Sequence, residues 1–359
     1  MTGPAAAGPL GGEAPLRWKR TLTMIGCHVG GEVNDVVTGG LGEIRGATVF
    51  EKRLYFEEHY DQLRRSLLLE PRSGPARCVN FVVPACDPRA QLGYIIAETT
   101  EYPAMSGSNT ICTATVLLET GMLPMTEPVT EIVLESPAGL IPLRCECKDG
   151  KVESVRFTNQ PSFVQHLDAH IEVPGHGSVR VDVAWGGMHY AIADARSLGF
   201  SIAPDEARDI CQLGRMITQA AAEQLSAVHP EEPRYAGITM TEFAGPLGRQ
   251  NGVLHSRNAV VVPPGRLDRS PCGTGSSARM AVLSARHELA AGEDFIHESI
   301  IGSQFSCRIE ETTTVGGRPA VIPSVAGQAW ITGISQLGID PTDPFADGYT
   351  LPDIWLGPA

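Results

Sequence analysis

The chain has 359 residues, 42% of them hydrophobic and 19% charged, with 39 glycines and 27 prolines. That length suits two domains, and the mix suits a turn-rich α/β or mostly-β protein rather than a helical bundle. A net charge of −13 without any long basic run excludes a nucleic-acid footprint, and no apolar stretch reaches membrane-spanning length.

Residues 1–18 are small and Pro/Gly-rich, without the basic-then-apolar order of a signal peptide, and read as a mobile tail. Around Gly30-Gly31 the alternation of 22–40 predicts a strand, a tight turn and a second strand. Helical spacing over 57–71 stops at Pro71, and β-rich runs follow at 76–85 and 91–99. A helix is expected over roughly 109–120, ended by Gly121, and then strands at 130–136, 140–147 and 151–158. Two more strands are expected near 179–184 and 188–194, and the clearest helical period runs over 203–226. Strands at 236–245 and 258–265, a second small-residue helix start, and strands near 305–314, 318–323 and 328–334 complete the reading.

The order of strands, Gly-rich turn, helix and strands occurs twice, which suggests an internal duplication. A boundary near 165–180 is drawn at 170/171. It gives a tail at 1–18, an N-terminal domain at 19–170 and a C-terminal domain at 171–359, whose last segment is free to pack back on the first. Nine cysteines, an odd number without a disulfide-like framework, point to a reducing cytoplasm. Cys145 and Cys147 form a lone C-x-C with no second pair at zinc spacing, so no metal site is expected.

The two helix starts carry the chemistry. One is Ser106-Gly107-Ser108-Asn109-Thr110; the other is Cys272-Gly273-Thr274-Gly275, approached through Asp268 and Pro271. A helix N-terminus offers unpaired N–H groups and a positive dipole end, so it binds a carboxylate without a cationic side chain. Gly107 and Gly273 allow close approach to the backbone. Ser106 Oγ and Cys272 Sγ stand at equivalent places, and a thiol at a helix N-terminus is expected to have a lowered pKa. Ser, Asn and Thr here are also ordinary N-caps. Taken together, the turns suggest two acid–base groups flanking a bound amino-acid carboxylate.

Four stretches, "GCHVGGEVNDVVTGG", "MSGSNTICTATVLLETG", "VDVAWGGMHYAIADA" and "DRSPCGTGSSARMA", resemble the proline racemase superfamily over most of the chain after the tail. The resemblance implies an α/β fold of two similar domains, each a mixed or antiparallel sheet around a central helix. It is diaminopimelate epimerase-like, with the active site in the interdomain cleft. It also implies a cofactor-independent mechanism in which two residues serve opposite faces of the substrate Cα, here Ser106 and Cys272. By the same resemblance, Gly107, Ser108, Gly273 and Thr274 bind the substrate carboxylate and Asp268 receives the ring nitrogen.

This sequence departs from the family's usual pair of cysteines, because Ser106 replaces the first and Ser108 the histidine after it. The Ser/Cys combination resembles 2-epimerases of hydroxyproline acting on the trans-4- or trans-3-hydroxy-L isomer. A dehydratase of trans-3-hydroxy-L-proline, a proline racemase and a non-catalytic hydroxyproline binder stay open as alternatives. Serine is a weak acid and needs help to act as a base; His28, His189 and Glu32 are the candidate helpers. Segments 185–190 and 236–243 are expected in the pocket wall. The partner expected is a small imino acid, with no nucleic acid or membrane, and a homodimer is left open.

Overall fold

The computed structural model describes residues 20–355, so the tail expected over 1–18 lies outside them. Four α-helices occur among the described residues: α1 (Val49–Leu68), α2 (Gly107–Glu119), α3 (Ala207–Gln224) and α4 (Gly273–Ala285). The strands form one continuous hydrogen-bonded sheet that wraps α2 and α4.

Helix α1 begins eight residues before its expected start. Thr48 caps it by accepting from the Glu51 N–H at 3.1 Å, and Glu51 in turn accepts from the Ala47 N–H at 2.7 Å. Three consecutive charges, Glu51, Lys52 and Arg53, and an exposed Leu54 in the first turns mask its period. Helices α1 and α3 each bury one face; for α3 that face is Ile210, Leu213, Gly214, Ile217, Ala220 and Ala221. Helix α2 differs, because every residue from Gly107 to Leu118 is buried. It reads as small and apolar all round since sheet surrounds it. Leu117 is fully buried there, and truncating it to Ala would cost about 2–5 kcal/mol.

The duplication is visible in the pairings. In the first half the hairpin Thr21–Val29/Glu32–Gly39 leads through α1 to a parallel partner, Arg77–Val83. That strand makes a hairpin with Leu92–Ala97, which leads through α2 to the parallel strand Val129–Ser136 and a three-stranded meander. In the second half the hairpin Gly177–Trp185/His189–Asp194 leads through α3 to the parallel strand Met240–Ala244. Val253–Val262 then leads through α4 to the parallel strand Asp294–Glu298 and a second meander. The first hairpin turns at Gly30 and Gly31, both with positive φ (57° and 87°), which suits the twist of a two-residue hairpin.

The halves are stitched by exchanged strands. Ser162–Val173, a twelve-residue strand absent from the sequence reading, runs through position 170 and pairs with Gly177–Trp185. Ala329–Gly338 returns to pair with Thr21–Val29, and Arg318–Gly327 pairs with Lys151–Thr158. The last described residues also return: Trp355 donates its indole N–H to Glu70 at 3.0 Å. This is the expected fold class, two similar strand-rich α/β units each built around a central helix.

Candidate active site

The N-terminal ends of α2 and α4 meet. A Cβ added to Gly107 would lie 3.0 Å from Gly273 Cα and 2.6 Å from Phe157 Cζ, and one added to Gly273 would lie 3.0 Å from Gly107 Cα. No residue with a side chain fits at either place without pushing the helix ends apart. The sequence-predicted residues Ser106, Gly107, Ser108, Cys272, Gly273 and Thr274 are therefore gathered at one point.

The two caps differ in strain. Ser106 has relaxed extended dihedrals (φ −149°, ψ 127°), whereas Cys272 has φ +62°, ψ 106°. A non-glycine residue held there costs on the order of 1–3 kcal/mol and marks a position the surroundings over-determine. Asn258 helps to hold it by donating to the Pro271 carbonyl at 2.8 Å.

Cys272 Sγ accepts from the Gly275 N–H at 3.4 Å, and the Tyr190 hydroxyl lies 3.4 Å from the same sulfur and 2.6 Å from Thr274 Oγ1. On the other side Ser106 Oγ accepts from the Asn109 side-chain amide at 2.9 Å, and Ser108 donates to Asn34 Oδ1 at 3.4 Å. Asn34 and Tyr190 lie on the second strands of the two halves. Each reaches the residue two places after its cap, so the site keeps the fold's pseudo-symmetry while its chemistry has diverged.

Electrostatics correct one expectation. Burial, then the Asp268 carboxylate, push the Cys272 thiol well above its ordinary value; the bonds from Tyr190, Gly275 and Thr274 pull it down but do not prevail. The helix end alone does not yield a lowered pKa in a thiol only 6% exposed, because desolvating the thiolate costs more than a few hydrogen bonds return. The resting thiol is protonated.

Asp268 is buried, and Ser270 donates to its Oδ1 through the backbone N–H (2.8 Å) and the hydroxyl (2.9 Å). Burial and the neighbouring Glu32 raise it to about 7, against the pull of Arg266. Arg266 pairs with Glu32 at 2.6 Å, and burial together with Glu101 raises Glu98 to about 8. Three carboxyls thus share a dry region around one guanidinium, a demand for positive charge that a substrate ammonium would meet.

The expected helpers of Ser106 are engaged elsewhere. His28 stacks on Trp330 at 5.4 Å, and His189 packs against Trp185 at 4.9 Å and is held down to about 4, by burial first and then by His229. Glu32 accepts from the Arg269 N–H at 2.9 Å besides its ion pair. None of the three hydrogen-bonds Ser106 among the described residues. Sequence reasoning gave no role to Asn109 although it lies inside the quoted motif, and reached Tyr190 only as the end of the 185–190 wall segment, because its partner is 82 residues away along the chain.

A cavity of about 410 Å³ is lined by Glu101 and Ala104 from the loop entering Ser106, by Trp185 and His189 before Tyr190, and by Ala236 and Thr239, while no residue of either helix start lines it. It draws on both segments expected in the pocket wall. Among the described residues no group of three His, Cys, Asp or Glu side chains could hold a metal ion, and no helix is long and apolar enough to cross a membrane.

A strand-rich α/β fold with two central helices meeting end to end is the architecture of epimerase-type isomerases. Comparison with known proteins narrows this: the family described as proline racemase matches residues 24–350, and the chain belongs to it. It is 40% identical to a hydroxyproline epimerase from Agrobacterium vitis, solved with bound trans-4-hydroxy-L-proline; 95% of this chain and 98% of that one are covered, with a TM-score of 0.88. It is 39% identical to a probable proline racemase from Agrobacterium radiobacter K84, solved with bound carbonate, over 93% and 98% of the two chains, with a TM-score of 0.87. A phenazine biosynthesis protein of the PhzF family from Bacillus anthracis shares the fold at 11% identity, over 88% of this chain and 99% of that one, with a TM-score of 0.55. The protein is an isomerase of the amino-acid racemase and epimerase class.

Proposed function

We propose that this isomerase is a 2-epimerase of hydroxyproline, converting the trans-4- and/or trans-3-hydroxy-L isomer to the cis-D isomer by proton transfer at Cα between Ser106 and Cys272. The observation that carries the reading is the junction of α2 and α4, where a serine and a cysteine stand at the N-cap positions of two helix ends in mutual contact. The 40% identity to the A. vitis hydroxyproline epimerase supports the substrate class.

The substrate carboxylate lies on the first N–H groups of both helices, those of Gly107, Ser108, Gly273 and Thr274, which have no acceptor within their helices. The ring ammonium pairs with Asp268. Both Ser270 bonds end on Asp268 Oδ1, which leaves Oδ2 for the ligand. Pairing cancels the carboxylate charge that raises the Cys272 thiol and brings a cation near the sulfur, so substrate binding favours the thiolate. In one direction the thiolate takes the α-proton and the Ser106 hydroxyl delivers its own to the opposite face; in the other the roles reverse. Charge developing on the substrate carboxylate during either transfer is stabilised by the helix-end N–H groups. All nine cysteines are unpaired, which fits a reducing compartment and supports a cytoplasmic location.

Incubating proline and its 3- and 4-hydroxy isomers with the protein in D₂O, followed by NMR and chiral chromatography, tests this. The reading predicts a C2-deuterated diastereomer of a hydroxyproline. A pyrroline product would replace it with dehydration. Thermal stabilisation by hydroxyproline without α-proton exchange would replace it with binding alone.

A further inference from the structure

The two proton carriers are held by different means. At Cys272 the group three residues on, the Gly275 backbone N–H, reaches the sulfur at 3.4 Å. At Ser106 no backbone N–H caps the side chain; the residue three places on, Asn109, reaches the oxygen with its side-chain amide at 2.9 Å. Position 275 has no room for such a device, since a Cβ there would lie 3.1 Å from Glu242 Oε2 and 3.2 Å from Cys272 Sγ.

Asn109 is fully buried inside α2, and its Oδ1 has no hydrogen-bond partner among the described residues. Burying half an amide unsatisfied is costly, and asparagine is a mediocre helix former, so neither packing nor propensity explains it. What the side chain does make is the bond to Ser106.

We propose that Asn109 is the positioning residue of the Ser106 face. Its amide occupies one lone pair of Oγ, which turns the hydroxyl proton away from α2 and toward the cleft. When Oγ–H breaks and the new Cα–H bond forms, the negative charge passes from the substrate to Oγ, and the same amide stabilises the alkoxide. In the reverse direction the alkoxide takes the α-proton back. An amide cannot compete for that proton, as a carboxylate or imidazole would, and it needs no charge of its own in a dry site. The inference rests on the reading of Ser106 as a proton carrier.

The test is α-proton exchange in D₂O, started separately from each epimer, for wild type, Ser106→Ala, Asn109→Ala and Asn109→Asp. Ser106→Ala identifies the epimer whose proton faces Ser106. For that epimer Asn109→Ala is expected to slow exchange about 100-fold, as removal of one donor to a developing oxyanion does. Exchange of the other epimer should change little. Asn109→Asp keeps the shape but accepts from the hydroxyl instead of donating, so it should lose the same face; this variant guards against a packing defect in the Ala form. In a Ser106→Cys background the Asn109→Ala loss should shrink, because a thiol ionises without that donor. Undiminished Ser106-face exchange in both Asn109 variants, or equal losses on both faces together with a lowered Tm, would overturn the proposal. Retained exchange of both epimers in Ser106→Ala would instead remove Ser106 as a proton carrier, and the proposal with it.

Discussion

Asp268→Asn separates the two things this carboxylate is expected to do. The substitution keeps the shape and an oxygen to accept from Ser270, and it removes only the charge. A charge-assisted hydrogen bond to the substrate ammonium contributes roughly 1.5–3 kcal/mol, so kcat/KM at pH 8 should fall roughly 10- to 150-fold. The wild-type acid limb, set by Asp268 at about 7, should vanish from the pH profile of the variant. Stability should move the other way. Asp268 loses its proton near 3.8 when unfolded and near 7 when folded, so the folded state binds the extra proton between those values. Stability therefore declines as pH rises through that window, and the cost is fully present at pH 8. About three pKa units correspond to at most about 4 kcal/mol, shared with Glu32, which the Asn variant should partly recover as a higher Tm. With that carboxylate gone, Cys272 in the unliganded protein should also react faster with iodoacetamide. The assays are chiral turnover from pH 5.5 to 9, thermal melting at pH 8, and mass-spectrometric alkylation of Cys272. Unchanged kcat/KM at pH 8 would remove Asp268 from the substrate site. A lowered Tm at pH 8 would refute the account of its electrostatics.

Ser106→Ala should abolish inversion while leaving α-proton exchange on the Cys272 face, with the cis-D isomer the expected survivor. If Ser106 were only a helix cap, the variant would lose about 1 kcal/mol of stability and little activity, a difference that melting and exchange on one sample resolve. Gly107→Ala places a methyl 2.6 Å from Phe157 Cζ and 3.0 Å from Gly273 Cα, so it should destabilise by about 1–3 kcal/mol and weaken binding of pyrrole-2-carboxylate, measured by calorimetry. Tyr190→Phe removes the hydroxyl beside Cys272 Sγ and Thr274 Oγ1; the thiol should titrate higher, with slower alkylation at a fixed pH and an unchanged fold by circular dichroism. Glu242 is buried under α4 and raised by burial to about 8, from 4.5 in an unfolded chain. Its contribution to stability is lost as pH rises through that window, so Glu242→Gln should raise Tm at pH 9 more than at pH 6, and equal shifts at both pH values would contradict this.

What the sequence determined by itself was local. The two Gly-containing helix starts, the Gly30-Gly31 hairpin and the strand–helix order are written in turn chemistry and periodicity, which depend on a few neighbouring residues. The motifs around Ser106 and Cys272 carried the family. The beginning of α1 was hidden because its first turns carry three charges in a row, one of them the buried Lys52, and an exposed Leu54, so no apolar period marks them. Strand Ser162–Val173 was hidden because its burial varies irregularly along its length, across two register shifts where it pairs with Gly177–Trp185. The tertiary structure alone decided which side chains serve each cap. Tyr190 reaches Cys272 from a strand 82 residues earlier, and Asn34 reaches Ser108 from one 74 residues earlier. It also decided the state of the thiol. Sequence supplies a helix N-terminus, which favours a thiolate; the fold supplies burial and Asp268, which oppose it more strongly. Desolvation depends on everything packed around an atom, and no short stretch of sequence records that.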